Sequence, residues 1–116
     1  MEPRDAMTTD TARRVSIVHR PDGSIVLAGE FDSYAADGLD AALGRLPPER
    51  AAAVDVAGVT FLDSSALRVL LLHYDRLRSS GGELKLVEPS LPVRRLLEVS
   101  RLEELLGRQA PRRVER

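Results

Sequence analysis

An acid and two serines stand together where a predicted strand is followed by a predicted helix. Asp63, Ser64 and Ser65 come after the β-branched stretch that begins at Val54, and a leucine-rich stretch with helical spacing follows them. A helix begins with unpaired backbone N–H groups and roughly half a positive charge, so an anion there is stabilised while it still faces solvent. A serine at this position therefore presents a hydroxyl that can accept a phosphate without breaking the fold.

The same three polar residues also have a purely structural use. Asp63, Ser64 or Ser65 can each cap the helix by accepting a hydrogen bond from the N2 or N3 amide. A helix start needs only one such cap, and the Glu or Gln of a capping box is absent at Ala66 and Leu67. Capping alone therefore leaves one hydroxyl without an explanation.

Enzymatic use of the serine pair requires residues that the chain does not supply. A nucleophile elbow needs a Gly-x-Ser-x-Gly turn, which residues 60–67 lack. Neither His19 nor His73 belongs to a motif that would make it a general base. Gly81 and Gly82 lack the Gly-Lys-Ser/Thr ending of a phosphate-binding loop and follow a predicted helix. The pattern favours a protein that is not an enzyme, with a small serine hydrolase as the enzymatic alternative.

Asp63 has the position of a phosphate-accepting aspartate in response-regulator receivers, because it follows the predicted third strand. A receiver also needs a pair of metal-binding acids after the first strand and a lysine later in the chain. Here the first strand ends in His19 and Arg20, and the only lysine, Lys85, lies inside a predicted strand. We therefore reject the receiver hypothesis.

The composition is that of one ordinary domain. A chain of 116 residues suffices for a single hydrophobic core, and its 3% of aromatic residues cannot build a stacking platform for nucleic acid. The net charge of −1, with acids and bases interspersed, creates no field that favours DNA, RNA or an anionic membrane. The absence of cysteine fits a cytoplasmic protein, and no apolar run approaches the ~20 residues of a membrane span. No cofactor or metal site is predicted.

The helix after the serine pair is the most clearly patterned part of the chain. Its apolar residues at helical spacing are Leu67, Leu70, Leu71, Tyr74 and Leu77, with Val69 and Leu72 widening the stripe. Gly81 stands where a left-handed residue commonly ends a helix. These features predict a helix over residues 64–80.

The remaining elements alternate between strands and helices. Strands are predicted over residues 14–20 and 24–29, across a Pro-Asp-Gly turn, then over 52–56 and 83–88, with Gly58 as a bend. Helices are predicted over residues 34–46, 90–99 and 102–106. Strand–helix–strand units require right-handed crossovers and parallel strands. We expect a single α/β domain, with a mixed four-stranded sheet and helices packed on it.

Both ends of the chain are predicted to lie outside this domain, which spans residues 14–107. Residues 1–13 are polar, include acids and lack the order of a secretory signal, so they are interpreted as a disordered leader. Residues 108–116 carry the only local excess of arginine and are interpreted as a disordered basic tail.

The segment FLDSSALRVLLLHYDRLRSSGGELKLVEPSLPVRRLLEVSRLEELL resembles the signature region of the STAS domain, as found in bacterial anti-sigma factor antagonists. The glycine-rich helix end at Gly81 and the helix from Pro92 to Leu97 also resemble the family. So does the Gly-Glu-Phe-Asp sequence ending at Asp32, which is similar to the family's Gly-Glu-Leu-Asp strand end. The resemblance covers about residues 14 to 107 and implies a STAS-like fold.

The resemblance implies a regulator of transcription that works by partner switching. In the family the serine directly after the aspartate is phosphorylated, which here is Ser64. The implied partner is an anti-sigma factor with serine kinase activity; its capture releases a sigma factor, and a phosphatase reverses the modification. Phosphorylation would switch the protein off by placing about −1.5 to −2 charges beside Asp63. The alternative is a structural STAS subunit of a stress-sensing or lipid-transport complex, without obligatory phosphorylation.

The predicted partner-binding surface surrounds the phosphorylatable serine. Its residues are Asp32, Asp63, Ser64, Ser65, Ala66 and Arg68. Asp32 has two interpretations of equal weight, as the cap of the helix predicted over residues 34–46 or as a partner contact, because the family's matching aspartate lies near the serine. Most phosphorylatable relatives carry Gly where this chain has Ala66. We expect the Ala66 methyl group to lie near the surface that a kinase approaches.

Overall fold

The computed structural model describes residues 15–106 of the chain. In chain order its elements are β1 (Val15–His19), β2 (Ile25–Phe31), α1 (Ser33–Gly44), β3 (Ala51–Leu62), α2 (Ser64–Ser79), β4 (Glu83–Val87), α3 (Leu91–Val99) and a 3₁₀ helix (Glu103–Leu106). The predicted leader over residues 1–13 and the predicted tail over residues 108–116 lie outside the described residues. No helix within residues 15–106 is long and apolar enough to cross a membrane.

The four strands form one mixed sheet in the order β1-β2-β3-β4. β1 and β2 are an antiparallel hairpin, whereas β2, β3 and β4 are parallel. In the hairpin turn the Asp22 carboxylate accepts hydrogen bonds from the amide and the hydroxyl of Ser24, and Gly23 adopts a φ of +93°. The predicted mixed sheet with packed helices is confirmed.

The core lies between one face of the sheet and the helices, because alternate strand residues point to that face. The α2 residues that the helical spacing placed in the core are buried, namely Leu67, Leu70, Tyr74 and Leu77. α1 and α2 pack against each other on this face. Leu72 was predicted to widen the buried stripe of this helix, and that prediction is wrong, because Leu72 is 58% exposed. Gly81 has the predicted left-handed conformation, with a φ of +91°.

β3 is longer than its sequence pattern predicted, and this extension positions the serine pair. Gly58 is not a bend that ends the strand; it lies so close to β2 that a Cβ atom there would approach the Ala28 Cβ to 2.9 Å. Two irregularities in the β2–β3 register each place one extra residue in β3, and such bulges let a strand continue with altered direction. The strand therefore reaches Leu62, and only Asp63 separates it from α2.

Candidate functional site

Two helices begin side by side at the carboxyl ends of β2 and β3. The last residues of these parallel strands, Phe31 and Leu62, are paired in the sheet. The next residues are Asp32 and Asp63, and the Asp63 amide donates a hydrogen bond to the Phe31 carbonyl at 3.0 Å. The sheet register thus fixes the start of α2 beside the start of α1.

Asp63 is the residue that caps α2. Its Oδ1 accepts hydrogen bonds from the amides of Ser65 at 2.9 Å and Ala66 at 3.1 Å. Its own carbonyl accepts the first intrahelical bond, from the amide of Leu67 at 2.9 Å. The alternatives of Ser64 or Ser65 as the cap are therefore wrong, because Asp63 alone has the extended backbone and the carboxylate contacts of an N-cap.

Asp32 caps α1 in the same way. Its Oδ1 accepts hydrogen bonds from the amides of Tyr34 at 3.0 Å and Ala35 at 3.2 Å. The capping interpretation is confirmed, and Asp32 is half-buried beside the neighbouring helix start. Its second predicted role, contact with a partner, stays a prediction.

Ser64 is left with a hydroxyl that the fold does not use. It is the first residue of α2 and is exposed, and its hydroxyl makes no hydrogen bond with any residue between 15 and 106. Ser65 is half-buried and supports the helix start through its backbone amide. Because Asp63 provides the cap, a rigid helix terminus presents the Ser64 hydroxyl to solvent.

The prediction that Ala66 lies on the partner-binding surface is wrong. Its exposed fraction is 0%, and it belongs to the hydrophobic core. The third residue of α1, Ala35, is buried in the same way, because this position of each helix turns toward the sheet. Ala66 is therefore not part of the partner-binding surface. Its methyl group packs inside the domain rather than near the surface that a kinase approaches.

Arg68 lies on the exposed side of α2 that begins with Ser64. Residues four apart in a helix are neighbours on its surface. Arg68 is exposed, and its side chain makes no hydrogen bond or ion pair within the part of the chain that the structure describes. Arg76, by contrast, donates to the Nδ1 of His73 and to the Leu43 carbonyl, both at 3.0 Å. The guanidinium of Arg68 is thus available to a ligand.

Exposed apolar side chains lie at the same end of the sheet, and the sequence pattern did not single them out. The chain has two Tyr and two Phe, and one of each is exposed: Tyr34 by 87% and Phe61 by 47%. Tyr34 is the second residue of α1, and Phe61 is the penultimate residue of β3. Leu91, exposed by 58%, opens α3, whose cap residue Ser90 donates to the Val59 carbonyl at 2.6 Å.

One sequence signal could have identified Tyr34 as an exposed residue. The buried residues of α1 are Ala35, Leu39, Ala42 and Leu43, which follow helical spacing. Tyr34 falls outside that stripe, so its ring has no place in the core. For Phe61 no such signal exists, because the bulges in β3 decide which face of the sheet each residue near the strand end occupies.

The histidines give no support to a hydrolase at Ser64. His73 is buried nine residues along α2, about 13 Å from Ser64 at 1.5 Å per residue. Its Nδ1 accepts a hydrogen bond from Arg76, so Nε2 carries the proton and donates to the Asp40 carboxylate at 2.6 Å. His19 pairs with the first residue of β2, at the other end of that strand, and burial and Arg45 lower its pKa.

Comparisons with known proteins agree with the fold and show the family. Residues 18–107 match the family model described as Mlab, STAS domain. An anti-sigma F factor antagonist of Paenibacillus polymyxa is 32% identical over 92 residues, which cover 76% of this chain and 78% of the relative. A STAS-domain containing protein of Pseudomonas aeruginosa is 35% identical over 83 residues, covering 71% of this chain and 82% of the relative.

Solved structures show the same fold. The anti-sigma factor antagonist SpoIIAA in its unphosphorylated form aligns with a TM-score of 0.62 and 21% identity, covering 78% of this chain and 84% of that one. An anti-sigma factor antagonist from Mycobacterium paratuberculosis aligns with a TM-score of 0.60 and 24% identity, covering 80% and 81% of the two chains.

Proposed function

The chain belongs to the STAS domain family, and on that premise we propose that it is an anti-sigma factor antagonist that phosphorylation of Ser64 switches off. The proposed partner is an anti-sigma factor with serine kinase activity, and a phosphatase restores the active form. The domain that acts spans residues 14–107 and works in the cytoplasm. The observation that carries the proposal is the exposed Ser64 hydroxyl, which has no structural use within residues 15–106.

The proposed reaction is phosphoryl transfer from ATP held by the kinase. The Ser64 oxygen attacks the γ-phosphorus, the bond from that phosphorus to the ADP oxygen breaks, and the hydroxyl proton passes to a base of the kinase. ADP leaves. Because the Asp63 carboxylate and not the Ser64 hydroxyl caps α2, the new ester removes no hydrogen bond from the helix start. The fold therefore tolerates the phosphate.

The phosphate acts on binding through charge and hydration. It adds about −1.5 to −2 charges next to the Asp63 carboxylate. A partner seated over the start of α2 must remove water from this dianion and place its own groups against it, which costs free energy unless the new charge is paired. Phosphorylation therefore weakens the complex without unfolding the domain.

The proposed partner surface combines polar and apolar residues at one end of the sheet. Its polar members are Asp32, Asp63, Ser64, Ser65 and Arg68. Exposed Tyr34 adds an aromatic ring, and Tyr is a residue type enriched among binding hot spots. A structural STAS subunit would use the same surface without phosphorylation. Identifying the proteins that copurify with this chain and testing them for kinase activity distinguishes an anti-sigma factor antagonist from a structural subunit.

Intact-mass spectrometry after incubation with ATP, Mg²⁺ and candidate anti-sigma kinases tests the proposal. The wild-type protein should gain one phosphate, and fragmentation should place it on Ser64. Ser33→Ala is a matched control, because Ser33 is also exposed and is also the first residue of a helix capped by an aspartate. Phosphorylation should persist in that variant and be lost in Ser64→Ala. Phosphate uptake by Ser64→Ala at the wild-type rate contradicts the site assignment.

A further inference from the structure

The start of α2 leaves a phosphate on Ser64 with one backbone donor and no cation. The amides of Ser65 and Ala66 already donate to the Asp63 carboxylate, and the amide of Asp63 itself donates to the Phe31 carbonyl. Three of the four amides that this helix start leaves without an intrahelical partner, those of residues 63–66, are thus occupied, and the amide of Ser64 is the fourth. The Asp63 carboxylate also adds negative charge directly beside the phosphate. A compensating cation must come from elsewhere.

Arg68 is the cation on this face of the helix. It follows Ser64 by four residues, the spacing that brings two side chains together on one helical face. An anion at the N-terminal member of such a pair and a cation at the C-terminal member is the more favourable orientation. The planar guanidinium can donate two parallel hydrogen bonds to a phosphate. Arg68 is exposed, and no side chain within residues 15–106 competes for it.

We propose that Arg68 binds the phosphate on Ser64 within the same chain. The inference rests on the proposed phosphorylation of Ser64 and adds a second component to the switch. In the unphosphorylated protein the Arg68 guanidinium is free to contact the anti-sigma factor. In the phosphorylated protein it is held against α2 by the phosphate. Modification then both adds a dianion to the partner-binding surface and withdraws a cation from it.

The test uses protein that carries phosphoserine at position 64, installed during translation so that no kinase is needed. Phosphorus NMR follows the second ionisation of the phosphate, which lies near pH 6 in the absence of partners. Loss of the nearby positive charge disfavours the dianion, so Arg68→Gln should raise the pKa of the phosphate by about 0.3 or more. Arg68→Lys should restore part of the difference, because it keeps the charge but not the bidentate geometry.

Arg50→Gln is the matched control. Arg50 is exposed and directly precedes β3, whereas Ser64 follows the far end of that 12-residue strand, roughly 30 Å away at about 3.3 Å per residue once the two bulged residues are left out. This variant removes the same charge from the protein and should leave the pKa of the phosphate unchanged within about 0.1, since charges this far apart are screened. The effect of Arg68→Gln should shrink in about 1 M salt.

Equal phosphate pKa values in the parent protein and in Arg68→Gln overturn the proposal. A shift of the same size in Arg50→Gln also overturns it, since the effect would then reflect net charge and not a contact. Because the phosphoserine is supplied by translation, these results bear on Arg68 alone. Failure of every candidate kinase to modify Ser64 would instead count against the proposed function.

Discussion

Asp32 and Asp63 are equivalent residues at the ends of two neighbouring parallel strands. Each follows the last paired residue of its strand, and each caps the next helix with one carboxylate oxygen that accepts two backbone amides. Ser33 and Ser64 then open the two helices. Asp63 thus caps the start of α2, and the hydroxyl of Ser64 is available for another use.

Removal of the Asp63 carboxylate should destabilise the domain more than removal of the Ser64 hydroxyl. Asp63→Ala leaves two amides at the helix start without their acceptor, and the expected cost is about 1–2 kcal/mol of unfolding free energy. Ser64→Ala should change it by no more than about 0.5 kcal/mol, because an exposed hydroxyl without a partner is lost. Asp63→Asn is the control, since Asn caps as well as Asp. Urea denaturation measures all three; equal losses for the Asp63→Ala and Ser64→Ala proteins would contradict the capping assignment.

Ala66→Gly should reduce stability and leave phosphorylation unchanged. The substitution loses about 1 kcal/mol of helix propensity. It also removes a buried methyl group, whose burial contributes about 0.8 kcal/mol. Ala41→Gly, at an exposed position of α1, is the control that loses propensity alone. Thermal melting should therefore rank Ala66→Gly as the less stable variant.

The rate of phosphate uptake by Ala66→Gly tests the location of the methyl group independently. Ala66 is fully buried, so its methyl group presents nothing to a kinase. We expect equal initial rates for the wild-type and Ala66→Gly proteins, measured below the melting temperature of both. Faster uptake by the glycine variant would show that the alanine obstructs the kinase after all.

Phosphorylated Ser64 should retain the circular dichroism spectrum of the unmodified protein and shift its melting temperature little. Binding to the anti-sigma factor should weaken at least tenfold, about 1.4 kcal/mol, because the partner meets a new dianion. Ser64→Asp should reproduce only part of this loss, since it has less charge and fewer acceptor oxygens. Titration calorimetry measures the affinity of the unmodified protein, the phosphorylated protein and Ser64→Asp for the anti-sigma factor, and melting curves measure their stability. Equal affinities reject the switch, and weaker binding with a collapsed melting temperature indicates unfolding.

Tyr34→Ala should weaken partner binding without changing stability. The Tyr34 side chain is 87% exposed, so its removal costs the isolated domain little. If the ring is an anchor of the interface, the affinity for the anti-sigma factor should fall by about 1 kcal/mol or more. Val99→Ala is the control, because Val99 is 81% exposed at the far end of α3. Similar affinities for the two variants would remove Tyr34 from the proposed surface.

Sequence alone determined the elements whose signals are local. The helix predicted over residues 64–80 is observed as α2, because helical spacing and the left-handed Gly81 are encoded within one continuous stretch. The parallel arrangement of β2, β3 and β4 likewise follows from the alternation of strands and helices. The serine pair at the helix start could also be identified from the sequence, because the predicted strand and helix on either side of it are local patterns.

Tertiary structure decided how these elements meet. The choice of Asp63 as the cap, the burial of Ala66 and the exposure of Tyr34 all depend on how a helix start is turned relative to the sheet. The length of β3 depends on a close contact between Gly58 and Ala28, which are 30 residues apart in the chain. Such contacts arise from the register of paired strands, and register is set by the packing of distant residues that no single stretch of sequence contains.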